Sequence, residues 1–307
     1  MEKQMNVSAA PHIRGTMSTS KIMRFVILAL LPAAGFGIYN FGIRALYHML
    51  VCIVTCVLTE FTYQAFADRP IAVGDFSAVV TGLLLALSLP VNAPLWIGAA
   101  GGIFAILVVK MIFGGIGQNI VNPALAGRCF LLISFAKHMS SFACDAYTGP
   151  TPLEALKQGE AADPLFLILG NTGGCIGETS TLAILLGAVL LLALGIINLR
   201  IPASCFAVFT GMLIFFSGRG FDEIYLVQEL CSGGLMLAFW FMATDYTTSP
   251  ITKWGQILYG GIIGALAALF RLYGSAMEGV SYAILLANLL TPIIEKVTVP
   301  KAFGRRR

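Results

Sequence analysis

Long stretches without a charged residue dominate the chain and alternate with short polar segments. The longest runs from Phe76 to Val109 and holds 34 residues. Because about 20 apolar residues cross a bilayer core as one helix, this stretch is expected to break at Pro90–Pro94. The whole pattern predicts ten membrane segments, at residues 25–40, 45–61, 77–89, 95–113, 123–135, 180–198, 201–217, 230–243, 255–271 and 279–294.

Several of these segments are shorter than a full crossing and are interrupted by glycine or proline. Irregular backbone at membrane depth persists where protein or a water-filled cavity covers it. The pattern therefore predicts an all-α polytopic membrane protein with short or broken helices. Its one long hydrophilic stretch, residues 136–179, is expected to be a loop outside the membrane.

Composition supports the membrane assignment, since 58% of the residues are hydrophobic and 11% are charged. Soluble domains carry about 25% charged residues, so a soluble enzyme is excluded. The net charge of +4 is small and scattered, which argues against a nucleic-acid partner. Seven cysteines occur without a CxxC pair, and the three histidines have no ligand at helical spacing, so no metal site is predicted.

The distribution of Lys and Arg predicts the orientation in the membrane. With ten crossings both termini share a side, and that side carries 13 of the basic residues against 6 on the other. Cytoplasmic loops hold the excess of Lys and Arg. The arm 1–24 and the basic tail 295–307 are therefore expected in the cytoplasm, and the loop 136–179 outside it.

The chain shows a weak internal repeat. Thr81–Leu87 is similar to Gly233–Phe239, so residues 25–135 and 180–294 form two halves of five segments each. An odd number of crossings gives the halves opposite polarity, which is the inverted repeat of many transporters. The alternative is that helices rich in Leu, Ala and Gly resemble one another by composition.

The glycine-rich turn Gly114–Ala124 is the first candidate site. Asn122 is placed to cap the next helix, with Pro123 at its first position. A helix start inside the membrane offers free N–H groups to a ligand, although a simple cap would look the same. Gly117, Asn119 and Asn122 are the candidate binding residues here. Arg128 is a charge in a segment that otherwise excludes charge, and such residues are often functional.

Two further stretches carry polar groups at segment boundaries. In the first, Asp245 lies among threonines at the end of a short apolar segment, where an acidic group can hold a cation or be solvated. The second is the loop Asp145–Leu153, which by itself has the pattern of a turn.

Together the three stretches resemble one family, which comprises the D subunit of the Rnf complex and the B subunit of the sodium-pumping NADH:quinone reductase. The resemblance rests on FGGIGQNIVNPALAGRCF (Phe113–Phe130), SGGLMLAFWFMATDYTTSP (Ser232–Pro250) and DAYTGPT (Asp145–Thr151). The last is similar to the family's flavinylation motif. The sequence departs from the family at Pro150, usually alanine, and at Tyr246, where many relatives have proline.

The resemblance implies that Thr151 carries FMN through a phosphodiester, with Asp145, Thr148 and Gly149 in the same motif. It also implies a second, non-covalent flavin, riboflavin, on the inner side. By hypothesis the turn Gly114–Asn122 and Arg128 border one flavin pocket, and Asp245 belongs to an ion path.

The implied function is that of a subunit without a complete catalytic site of its own. It would serve a prokaryotic inner-membrane complex that moves electrons between ferredoxin and NAD⁺ and translocates Na⁺ or H⁺. Expected partners are the other membrane subunits, the flavin and iron–sulfur subunits, membrane lipid, and a flavin transferase that acts outside the cytoplasm. Two alternatives remain open, namely a stand-alone channel or carrier for a small solute and a purely structural subunit.

Overall fold

The computed structural model describes residues 17–140, 142, 152–157, 164–170, 172–274 and 279–300. In this part of the chain the regular elements are helices, apart from one isolated bridge between Pro90 and Cys175. The main helices are α1 (Thr19–Phe41), α2 (Ile43–Phe66), α3 (Ser77–Leu87), α4 (Leu95–Met111), α5 (Pro123–Ser134), α6 (Thr181–Ala193), α7 (Arg200–Phe216), α8 (Glu223–Cys231), α9 (Leu235–Met242), α10 (Lys253–Tyr273) and α11 (Gly279–Thr298).

The lengths of these helices account for the ten predicted segments. Four helices (α1, α2, α10 and α11) are long and apolar enough to cross a membrane, and five are shorter apolar helices. The tenth segment is the pair α8 and α9, which bends by 68° at a short break. The chain is an all-α, multi-pass membrane protein.

Several predicted boundaries are wrong, including the start of α1, which is Thr19 rather than 25, and the end of α6, which is Ala193 rather than 198. Charged residues explain two others. Helix α2 continues to Phe66 rather than ending at 61, because Glu60 inside it is buried and paired with Lys110. The segment predicted from 230 begins instead at Glu223 and is broken before Leu235. Its first turn is capped by Asp222, whose carboxylate accepts from the backbone N–H of Ile224 and Tyr225.

The helices run between two faces of the bundle. On the terminal side, where α1 begins and α11 ends, Ser20 Oγ donates to Gly74 O at 3.1 Å and Ile251 N donates to Glu295 Oε1 at 3.0 Å. On the opposite side, Asn40 Nδ2 donates to Gly170 O at 3.3 Å. The stretch 172–180 is anchored there to the end of α3 by backbone hydrogen bonds, including Gly177 N to Leu87 O at 2.7 Å.

The two halves meet through corresponding helices. The first helices of the two halves, α1 and α6, pack against each other. The last helices of the two halves, α5 and α11, also pack against each other. The contact between α1 and α6 depends on Gly187, where an added Cβ would collide with the carbonyl oxygen of Ala29. Lys110, at the end of α4, and Arg271, at the end of α10, hold similar places in their halves and lie on opposite sides.

Candidate functional site

Two breaks between helices meet on the terminal side and enclose a cavity. One break is the turn 112–122 between α4 and α5, and the other is the turn 243–252 between α9 and α10. The cavity is partly open, and its empty volume of about 760 Å³ includes the space that is continuous with solvent. Its polar lining consists of Ser77, Thr81, Lys110, Asn119, Asn122, Thr244, Asp245, Tyr246 and Thr247, among apolar side chains such as Leu84 and Phe241.

Asn122 joins the two breaks. Its side-chain oxygen accepts from Ala124 N at 3.0 Å and Leu125 N at 3.4 Å, and its Nδ2 donates to Met242 O at 3.2 Å. The prediction that Asn122 caps a helix with Pro123 at its first position is thus confirmed. Because its buried amide bonds to both turns, Asn122 fixes the cavity wall.

Asn119, in contrast, offers a hydrogen-bonding atom to the cavity. Its Oδ1 is buried and has no hydrogen-bond partner among the residues that the structure describes. A buried polar atom is normally paired, so this oxygen is suited to accept a hydrogen bond from a ligand. Gly117 contributes differently, since its φ of +85° permits the turn, and it does not contact the cavity.

Asp245 lines the same cavity as Asn119 and Asn122 and lies three residues after Met242, the end of α9. Its carboxylate accepts from Thr247 Oγ1 at 3.0 Å, Thr247 N at 3.4 Å and Thr248 Oγ1 at 3.5 Å. Burial raises the pKa of Asp245, and the hydrogen bonds from Thr247 and Thr248 partly oppose that rise. A carboxylate surrounded by hydroxyl oxygens has the chemistry of a Na⁺ or proton site.

The cavity wall also contains an ion pair that sequence reasoning missed. Lys110 Nζ donates to Glu60 Oε2 at 2.7 Å and to Ser77 Oγ at 2.6 Å, and both charged side chains are almost completely buried. Ser77 Oγ in turn donates to Asp75 Oδ1 at 2.6 Å. The signal in the sequence was a lone charge in each of two apolar stretches. The two residues lie far apart in the chain, so no local pattern could pair them.

A second cavity lies on the opposite side, with an empty volume of about 460 Å³. Pro152, Glu178, Thr179, Ser232 and Gly233 contribute to its lining. Thr179 Oγ1 and Ser232 Oγ are buried, and neither has a hydrogen-bond partner among the described residues. Two unpaired hydroxyls in one cavity indicate a site for a polar ligand.

The residues predicted for FMN attachment are adjacent to this second cavity in sequence. Pro152 directly follows Thr151. Thr151 itself lies outside the described residues, as do Asp145, Thr148 and Gly149, so their predicted roles stay predictions.

Arg128 is on the side of the second cavity and does not line the first. It is buried in α5, and its Nη1 donates to Glu178 Oε1 at 2.7 Å. The structure thus separates Arg128 from the turn 114–122, with which it was expected to share a pocket. Arg271 is bound nearby, with Glu229 Oε2 at 3.1 Å and Ser232 O at 2.9 Å.

Comparison with known proteins identifies similar sequences over the full span of these sites. The NQR2, RnfD, RnfE family matches residues 6–304. The D subunit of the Na⁺-translocating ferredoxin:NAD⁺ oxidoreductase complex of Acetobacterium woodii is 47% identical, over 99% of this chain and 96% of that protein. The D subunit of the proton-translocating complex of Clostridium ljungdahlii is 41% identical, over 98% and 96%. The D subunit of the ion-translocating oxidoreductase complex of Halorhodospira halophila is 33% identical, over 97% and 95%.

Proposed function

Because the chain belongs to the NQR2, RnfD, RnfE family, we propose that it is the D-type membrane subunit of a ferredoxin:NAD⁺ oxidoreductase complex that translocates Na⁺ or H⁺. In that role it holds flavin groups within the membrane and contributes to the ion path, alongside the other Rnf subunits. The observation that carries this function is the terminal-side cavity, because two of the three stretches that resemble the family, Phe113–Phe130 and Ser232–Pro250, contribute polar groups to its lining.

Thr151 is the proposed attachment point for covalent FMN. The unpaired hydroxyls of Thr179 and Ser232 support a polar ligand in the cavity that Pro152, the next residue in the chain, helps to line, and the ring nitrogens and carbonyls of a flavin suit such groups. When bound, FMN supplies reversible electron transfer. Thr151 provides the oxygen of the phosphate ester and is not a catalytic nucleophile, because the ester persists through turnover. A flavin transferase is the partner that forms it.

The terminal-side cavity is the proposed site of a non-covalent flavin, riboflavin. Its apolar walls and the free Oδ1 of Asn119 suit a flat heteroaromatic ring with N–H donors. In this arrangement Asn119 accepts a hydrogen bond from the ring, Asn122 keeps the two turns together, and Phe241 supplies apolar contact. Lys110, paired with Glu60, forms part of the wall.

Asp245 is the proposed cation ligand or proton carrier at the same cavity. The relatives from Acetobacterium woodii and Clostridium ljungdahlii differ in their named ion, Na⁺ in the first and H⁺ in the second. A half-buried carboxylate with threonine hydroxyls around it can serve either ion, because both bind oxygen.

The proposed orientation places both termini in the cytoplasm and Thr151 outside it, in a prokaryotic inner membrane. Three of the counted basic residues, Lys110, Arg128 and Arg271, are buried in ion pairs and cannot act as loop charges. Without them the ratio of basic residues becomes 12 to 4 in favour of the terminal side. A fluorescent protein fused after Arg307 should fold and fluoresce, whereas a fused periplasmic phosphatase should be inactive.

An Asn119→Leu variant tests the flavin site directly. The purified wild-type chain should release one non-covalent flavin on denaturation, and the variant should release several-fold less while keeping any covalent flavin. Asn198→Leu, which changes an exposed asparagine on the same side, is the matched control and should retain the wild-type amount. Equal release from the wild type and Asn119→Leu would show that the flavin does not bind in this cavity.

A further inference from the structure

A third cavity lies on the opposite side, apart from both sites above. The first turns of α2 and the loop 88–94 enclose a groove with an empty volume of about 500 Å³. Its lining consists of Arg44, Tyr47, His48, Val91, Asn92, Ala93, Pro94 and Leu95. Both α2 and α4 begin here, so the groove lies at the level of a membrane–water boundary.

The groove contains a buried polar residue with a free hydrogen-bonding atom. His48 is 2% exposed, and its Nε2 is 3.1 Å from Val91 O. With the ring hydrogen on Nε2 and directed to that carbonyl, Nδ1 is left as an acceptor. Nδ1 is buried and has no hydrogen-bond partner in the part of the chain that the structure describes. Such atoms are rare unless a ligand or water pairs with them.

The outer part of the groove carries a positive charge beside apolar surface. Arg44 is exposed and forms no ion pair with any described residue. Tyr47 is 51% exposed, and the apolar side chains of Leu50 and Val54, further along α2 from its first residue, are also exposed. Arginine and tyrosine at a helix end are typical of the headgroup level of a bilayer, and the apolar residues below them suit acyl chains.

We propose that this groove binds one glycerophospholipid. The phosphate pairs with Arg44, an N–H or O–H of the headgroup donates to His48 Nδ1, and the acyl chains lie along Leu50 and Val54. Phosphatidylethanolamine and phosphatidylglycerol have such a donor. Phosphatidylcholine has the same phosphate but a quaternary ammonium without N–H, so it can satisfy Arg44 and not His48.

Native mass spectrometry of the full-length, delipidated chain, titrated with each of the three lipids, tests this site. Phosphatidylethanolamine and phosphatidylglycerol should bind at one site with a Kd about tenfold lower than that of phosphatidylcholine. Arg44→Gln should weaken the binding of all three about tenfold, because the charged phosphate contact is lost. His48→Leu should abolish the preference among them.

Two controls distinguish specific binding in this groove from nonspecific contact with lipid. Arg219→Gln removes another exposed arginine from the same side and should leave all three affinities unchanged. Glycerophosphoglycerol, the headgroup without acyl chains, should not bind. Equal affinities of the wild type for the three lipids, with no effect of Arg44→Gln, would show annular lipid only and overturn the proposal. Binding of glycerophosphoglycerol as tight as that of the lipid would also overturn it, in favour of a soluble phosphate ester.

Discussion

Glu60 and Lys110 form a buried ion pair, and each charge depends on the other for compensation. Each is 1% exposed, and they are joined at 2.7 Å beside a cavity. A buried pair contributes little net stability compared with apolar residues of similar volume, but breaking it leaves one charge without compensation. Replacing one member of the pair should therefore destabilise the protein more than replacing both.

Lys110→Met alone should lower the free energy of unfolding by about 3–5 kcal/mol, because Glu60 is then buried without its partner. The double variant Lys110→Met/Glu60→Leu should recover most of that loss. Denaturant unfolding in detergent measures both. A double variant as unstable as the single one would mean that the pair is not the cause.

Asp245→Asn should reduce ion transport several-fold and electron transfer much less, because the amide cannot carry the charge that balances a cation. Transport and electron transfer are measured together in liposomes that contain the whole complex. Asp68→Asn makes the same change at an exposed residue on the terminal side and should alter neither. Equal loss of both activities with normal assembly would contradict a cation role.

The pH dependence of that transport follows from the same residue. Burial raises the pKa of Asp245, so its carboxylate becomes protonated as the pH falls, at a higher pH than for an exposed aspartate. Cation binding through the carboxylate should therefore be lost on acidification from that higher pH downward. Na⁺-dependent activity followed from neutral to acidic pH checks the direction, and Asp245→Asn should flatten the profile.

At the scale of helices, local signals predicted some elements well and failed at others for a physical reason. Helix α5 was predicted at 123–135 and is found at Pro123–Ser134, because the Asn122 cap and Pro123 are local features. The end of α2 and the start of α8 were misplaced because Glu60 and Glu229 look like boundary residues. Their partners, Lys110 and Arg271, come from distant helices, and a hydropathy pattern cannot show such pairs.

Gly187→Ala tests the contact between the two halves. A methyl group there would collide with the carbonyl oxygen of Ala29 in α1, and such overpacking costs about 1–3 kcal/mol. The melting temperature in detergent should fall accordingly. Gly211→Ala in α7 is the matched control, since an added Cβ has no atom within 4 Å, and it should be neutral or slightly stabilising. Equal effects of the two changes would contradict a close helix contact at Gly187.

At the scale of the whole molecule, the sequence indicated the individual site residues but not their grouping. Asn119, Asn122 and Asp245 were each selected from local pattern, and the fold brings them to one cavity. Arg128 was expected in the same group and instead pairs with Glu178 on the opposite side. Grouping depends on which helices pack together, and that information is not contained in any single stretch of sequence.

We expect this membrane chain to hold a covalent flavin at Thr151, and intact-mass spectrometry measures that attachment. The chain, produced together with a flavin transferase, should gain the mass of one FMN less one water, located on the peptide that contains Thr151. Thr151→Ser keeps the hydroxyl and should retain the added mass, whereas Thr151→Ala should lose it. A wild-type chain without the added mass, or a Thr151→Ala chain that still carries it, would contradict the claim.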